Sequence, residues 1–93
     1  MCYKVQHMKY LIISFKSRNS TYEFNKLLKL RGVFSSVINT PKRISSSCSL
    51  SVKSDYRNYT IILELIKTLK PTTLIGMFIV EESGFSQNIV RVI

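Results

Sequence analysis

The residues with the most chemical potential lie between Pro41 and Ser49, in the stretch PKRISSSCS. Its cysteine, Cys48, can act as a nucleophile only as a thiolate, and nearby positive charge lowers a thiol pKa. Lys42 and Arg43 supply such charge within the same stretch. A lone cysteine is more often a small packed residue than a nucleophile. A core cysteine, however, usually has apolar neighbours, and here the neighbours are serines. Ser45, Ser46 and Ser47 read as loop solvation and turn hydrogen bonds.

Other chemistries find few residues. The one histidine, His7, sits in the N-terminal segment, away from any nucleophile, so neither a Cys–His nor a Ser–His pair is expected. Two cysteines without a CxxC, and no clustered histidines or carboxylates, indicate no metal site. Glu81 and Glu82 are adjacent and would point to opposite faces of a strand, which does not suit paired acid–base work. With only 3 glycines there is no glycine-rich phosphate loop. No cofactor is called for, and a carrier or binding protein fits better than a turnover enzyme.

The 93 residues suffice for one domain and are too few for two. A hydrophobic fraction of 45% indicates a packed core rather than disorder. The net charge of +9 comes from 14 Lys and Arg against 5 Asp and Glu. It favours anionic partners of any kind: nucleic acid, an acidic protein, phosphate or selenite-like ions. The basic residues are spread from Lys4 to Arg91, not gathered into a nucleic-acid-binding tail. A solvated basic surface explains the charge equally well. Two cysteines are fewer than disulfide-dependent secreted domains carry, so a reducing cytoplasm is expected. No apolar run is long enough for a signal peptide or a membrane span. Residues 1–7 read as a frayed N-terminal extension and residues 8–93 as a single α+β domain.

The elements that must position Cys48 follow from periodicity. Lys9 to Phe15 is short, apolar and β-branched, a buried strand. Lys16 to Thr21 is a polar turn, and Ser20 with Glu23 has capping-box spacing. The helix is then expected over Thr21 to Arg31, burying Phe24, Leu27 and Leu28, with Lys26 and Lys29 outside that face and Gly32 as C-cap. Val33 to Asn39 is a second strand, ended by Thr40 and Pro41. Ser49 to Lys53 alternates as a half-buried strand. Asp55 can cap a second helix, Tyr56 to Leu69, with Ile62, Leu65, Ile66 and Leu69 buried and Pro71 beyond its end. Thr73 to Val80 is a fourth strand, and Glu81 to Gly84 a turn. Phe85 to Ile93 could add a short edge strand.

Strand, helix, strand, strand, helix, strand is the order of a ferredoxin-like split βαβ fold: an antiparallel sheet with two helices on one face. In that topology the first helix starts at the end of the sheet where the second and third strands are joined. Lys16, Ser17, Arg18 and Ser20 should therefore share one end with Lys42 and Arg43, as an anion-binding group beside Cys48. Pro41, Ser47 and Ser49 would shape the loop.

The segments LIISFKS (11–17), LLKLRGV (27–33) and TPKRISSSCS (40–49) resemble the selenium/sulfur carrier-like family of small bacterial proteins. The resemblance runs from Met8 to about Val80 and is strongest from Pro41 to Cys48. It implies a cytoplasmic protein whose Cys48 holds sulfur or selenium, taken from a protein donor and passed to a protein acceptor. The family usually has glycine after this cysteine, where this chain has Ser49.

In the carrier reading, the Cys48 thiolate holds the chalcogen as a persulfide or selenopersulfide and passes it on. A second reading is a small basic nucleic-acid-binding module. Such domains stack bases on exposed aromatics of the central strands, and Ser49 to Lys53 has none. A third is an interaction protein in which Cys48 only packs. An exposed edge strand would also allow a homodimer.

Overall fold

The computed structural model describes residues 7–45, 49–84 and 86–93. The first strand, β1 (His7–Phe15), is followed by α1 (Arg18–Leu30), β2 (Ser35–Asn39) and β3 (Leu50–Asp55). A single 3-10 turn, Tyr56–Asn58, leads into α2 (Tyr59–Leu69), and β4 (Leu74–Ser83) and β5 (Ser86–Arg91) complete the chain. All five strands form one sheet in the order β2-β3-β1-β4-β5, antiparallel throughout. The first four have the ferredoxin-like order, and β5 extends it as a fifth strand at the edge.

Strand register divides the sheet into two faces, because side chains alternate along a strand. Leu11, Ile13 and Phe15 of β1 share one face with Val52 of β3 and Met77 of β4. Phe24 and Leu28 of α1 and Ile62, Leu65 and Ile66 of α2 pack onto it, forming the main core. Among the described residues no helix packs on the opposite face, yet Ile12, Phe78 and Val80 on it are also buried.

The helix ends differ from the sequence expectation in instructive ways. The N-cap of α1 is Ser17, whose hydroxyl accepts from the Ser20 N–H at 3.3 Å. The helix thus starts one turn earlier than expected, and Ser20 lies inside it rather than capping it with Glu23. Thr73 donates to the Ser20 hydroxyl at 2.7 Å, which gives that side chain a tertiary partner. Gly32 takes φ +76° just past the helix, as its lack of a Cβ allows. Asp55 does act as a cap, but for the 3-10 turn that precedes α2. Leu69, expected in the buried stripe, is exposed, because α2 ends there and the chain turns at Lys70 with φ +46°.

Two strand boundaries also move. Val33 is buried in the core and Phe34 is 91% exposed, so β2 begins only at Ser35. The expected turn at Glu81 to Gly84 is instead mostly strand: β4 continues to Ser83, which pairs with Ser86, and Gly84 has φ +58°.

Candidate functional site

Four hydroxyl side chains form a continuous hydrogen-bonded chain on the helix-free face. Ser14 of β1 lies 2.7 Å from Ser51 of β3, and Ser51 lies 2.5 Å from Thr40 at the end of β2. Ser49 then donates to Thr40 Oγ1 at 3.0 Å. Ser14 and Ser51 are both 0% exposed. They are directly paired across the β1–β3 ladder, which brings their side chains together on one face. A buried hydroxyl is costly without a partner, and here each has one.

Thr40 and Ser49 are also joined through the backbone, the Thr40 N–H donating to the Ser49 carbonyl at 2.9 Å. Thr40 and Ser49, which flank the segment 41–48, are thus held together twice. Pro41 opens this segment: its carbonyl accepts from the N–H groups of Ile44 and Ser45, coiling residues 41–45 into one helical turn. Ser46, Ser47 and Cys48 lie outside the described residues, as do residues 1–6 and Phe85.

The helix side of the site is built by the first turn of α1. Thr21 is fully buried, and its hydroxyl donates to the Ser17 carbonyl at 3.0 Å and to the Leu50 carbonyl at 3.4 Å. The start of α1 is thereby fastened to the start of β3, at the foot of the loop. Lys16 is held through its backbone N–H to the Thr73 carbonyl at 2.7 Å, with its side chain exposed. Arg18 and Lys42 are exposed as well.

Arg43 takes a different course from the expected cluster. Its guanidinium donates to the Gln87 carbonyl of β5 at 3.4 Å, at the far edge of the sheet from β2. Arg43 and Ile44 line a groove with Ile75, Phe78, Ile89 and Arg91. Arg43 and Ile44 of the loop therefore lie over the helix-free face. Arg91 forms the other wall, donating to the carbonyls of Ile75 at 2.8 Å and Ile93 at 2.6 Å. The Ile75 carbonyl is open to it because the β1–β4 register shifts between Ser14 and Phe15.

Beside this groove, Gln87 donates to Glu82 at 2.7 Å, and the Glu82 carboxylate acts on the Tyr10 hydroxyl. Burial and the adjacent Glu82 carboxylate push the Tyr10 hydroxyl above its ordinary pKa. Tyr10 in turn carries Lys53 over its ring at 4.4 Å.

Sequence reasoning passed over Ser14, Thr40 and Ser51. A signal existed for two of them. Ser14 is the one polar residue inside the apolar run Leu11 to Phe15, and Ser51 alternates with Leu50 and Val52. A polar residue within a buried strand requires a partner.

The family model described as Putative Se/S carrier protein-like matches residues 9–72. The chain belongs to this family. No curated protein and no solved structure gives a match. The matched span runs from β1 through α2 and contains the whole segment 41–48; β4 and β5 lie beyond it. Its description points to sulfur or selenium carriage. Among the described residues no helix is long and apolar enough to cross a membrane.

Proposed function

We propose that the protein is a sulfur or selenium carrier in which Cys48 holds the chalcogen. The family match over residues 9–72, which includes the loop bearing Cys48, is the observation that carries this reading. The +9 net charge suits an anionic cargo, since a persulfide or selenopersulfide is more acidic than a thiol and carries its charge on the terminal atom.

The transfer step is balanced without an oxidant. The Cys48 thiolate attacks the outer sulfur of a donor persulfide, a new S–S bond forms, and the donor's S–S bond breaks. The donor leaves as a thiolate and Cys48 becomes a persulfide. A selenopersulfide donor reacts in the same way, forming an S–Se bond. The acceptor protein's nucleophile then attacks the outer atom and releases the Cys48 thiolate. Exposed basic side chains such as Lys16, Arg18 and Lys42 would stabilise the terminal anion.

Intact-protein mass spectrometry tests this in a Cys2→Ser background, where Cys48 is the only thiol. Incubation with a protein persulfide donor should add one sulfur per chain, removable by a thiol reductant. A gain of the same size in Cys2→Ser/Cys48→Ala would falsify the assignment.

A further inference from the structure

We infer that the groove between Arg43 and Arg91 on the helix-free face binds a small organic acid, a carboxylate carrying an aromatic or branched alkyl group. The sheet itself builds this groove. Phe78 pairs with Arg91 and Val80 with Ile89 across the β4–β5 ladder, so these side chains share the face that carries Ile12, the β1 partner of Phe78. Ile75 has no partner on β1. Ser14 pairs with Gly76 and Phe15 with Leu74, which leaves Ile75 as the extra residue of a bulge. A bulge re-aims a residue and frees its backbone groups from the ladder. Here it brings Ile75 to the groove and turns its carbonyl to Arg91 at 2.8 Å. A Cβ on the neighbouring Gly76 would lie 3.2 Å from the Phe78 ring, so the missing side chain gives the ring its room.

Two guanidiniums line the groove and, among the described residues, no carboxylate does. Like charges gathered in a cleft raise the local concentration of anions. Arg91 is fixed in place: it donates to the Ile75 and Ile93 carbonyls, and its guanidinium carbon lies 5.7 Å from the centre of the Phe78 ring. Arg43 stands on the other side, tied by a 3.4 Å bond to the Gln87 carbonyl. A guanidinium carries more N–H donors than these bonds use, so both arginines keep donors for a ligand. Glu82, farther along β4, accepts from Gln87 instead.

Between the arginines the lining is apolar, formed by Ile44, Ile75, Phe78 and Ile89. A bare inorganic anion would leave that surface wet, and a neutral hydrocarbon would leave the guanidiniums unmatched. A carboxylate with an apolar body meets both demands. Arg91 already donates to two carbonyls, and what it has left suits the fewer oxygens of a carboxylate better than those of a phosphate. At about 360 Å³ the groove has the size of a small-molecule site.

Isothermal titration calorimetry on the full chain, under reducing conditions, tests this with phenylacetate, phenylacetamide and acetate. Phenylacetate should bind saturably. Phenylacetamide, which lacks the charge, and acetate, which lacks the ring, should each bind about tenfold more weakly or worse. Arg43→Gln and Arg91→Gln should each weaken phenylacetate by about tenfold. Lys26→Gln, which removes an exposed charge on α1, should leave it unchanged. Arg43→Gln keeps the test decisive even where Arg91→Gln unfolds, because its 3.4 Å bond adds little to the fold. Absence of saturable phenylacetate binding, equal binding of phenylacetamide or acetate, or an Arg43→Gln protein that binds as Lys26→Gln does would overturn the inference. Sulfur uptake by Cys48 does not enter the readout, so the carrier reading and this one fail separately.

Discussion

Arg43, which follows β2 at one edge of the sheet, reaches the Gln87 carbonyl of β5 at the other edge. The contact shows the course of the loop, but at 3.4 Å and with both groups near solvent it holds little. Arg43→Ala is expected to change stability by no more than about 0.5 kcal/mol, measured by urea unfolding. A loss well above that would mean that the guanidinium, and not the Thr40–Ser49 pair, anchors the loop.

Ser51 sits between Ser14 and Thr40, and its removal strands Ser14 and leaves Thr40 with Ser49 alone. Ser51→Ala is expected to cost about 1–3 kcal/mol, because a buried hydroxyl left without its partner bears its full desolvation. Ser14→Ala/Ser51→Ala should cost less than the sum of the single changes, since the second removes a group the first has already orphaned. A double-mutant cycle on denaturant midpoints checks the sign.

Two glycines should fail for different reasons. A Cβ at Gly76 would lie 3.0 Å from the Ile93 carbonyl and 3.2 Å from the Phe78 ring. Gly32 has nothing within 4 Å but takes φ +76°. Gly76→Ala is therefore expected to cost about 1–3 kcal/mol through crowding. Gly32→Ala should cost about 1 kcal/mol through backbone strain alone. Asparagine, which tolerates left-handed backbone, should recover part of the loss at position 32 and none at position 76.

The Tyr10 hydroxyl is held above its ordinary pKa by burial first and by Glu82 second. A raised folded-state pKa gives stability that is fully present below the unfolded value and lost as pH rises through the folded one. The protein should therefore weaken above the ordinary tyrosine range as Tyr10 ionises. Glu82→Gln should shift the Tyr10 titration downward. Tyrosinate absorbance, taken as a difference from Tyr10→Phe, measures both effects.

Asp55 shifts the other way. The backbone N–H of Arg57 donates to its carboxylate at 2.9 Å and holds it below the ordinary carboxylate range. A depressed pKa gives stability present above the unfolded value and lost as pH falls through the folded one. Acid unfolding curves of the parent should thus carry an Asp55 component, below the ordinary aspartate pKa, that is absent in Asp55→Asn. Coincident curves would remove this role.

Much of the frame was legible because it depends on local pattern. Lys9 to Phe15 reads as a buried strand, and Phe24 and Leu28 mark the inner face of α1, since both patterns follow from period alone. Asp55 as a cap and Gly32 past the helix were legible through backbone chemistry. Ser20 misled, because Ser17, Ser20 and Thr21 are all able caps, and the choice among them was made by partners distant in sequence. Thr73 takes Ser20, and Leu50 takes Thr21. Lys70 at φ +46° has no sequence signal at all.

The amino-acid sequence by itself determined the α+β class, the two-helix face, the basic charge and the polar loop that starts after β2. Those features reside in composition, in periods of two and 3.6, and in motifs of a few neighbouring residues. Only the tertiary structure decided what lies beneath that loop. Ser14 and Ser51 are 37 residues apart and become partners through β1–β3 register, while Arg43 finds Gln87 across the sheet, 44 residues on. Hydrogen bonds of such separation depend on which strands are neighbours and which face each side chain takes. A linear pattern can suggest the faces, but the pairing belongs to the folded sheet.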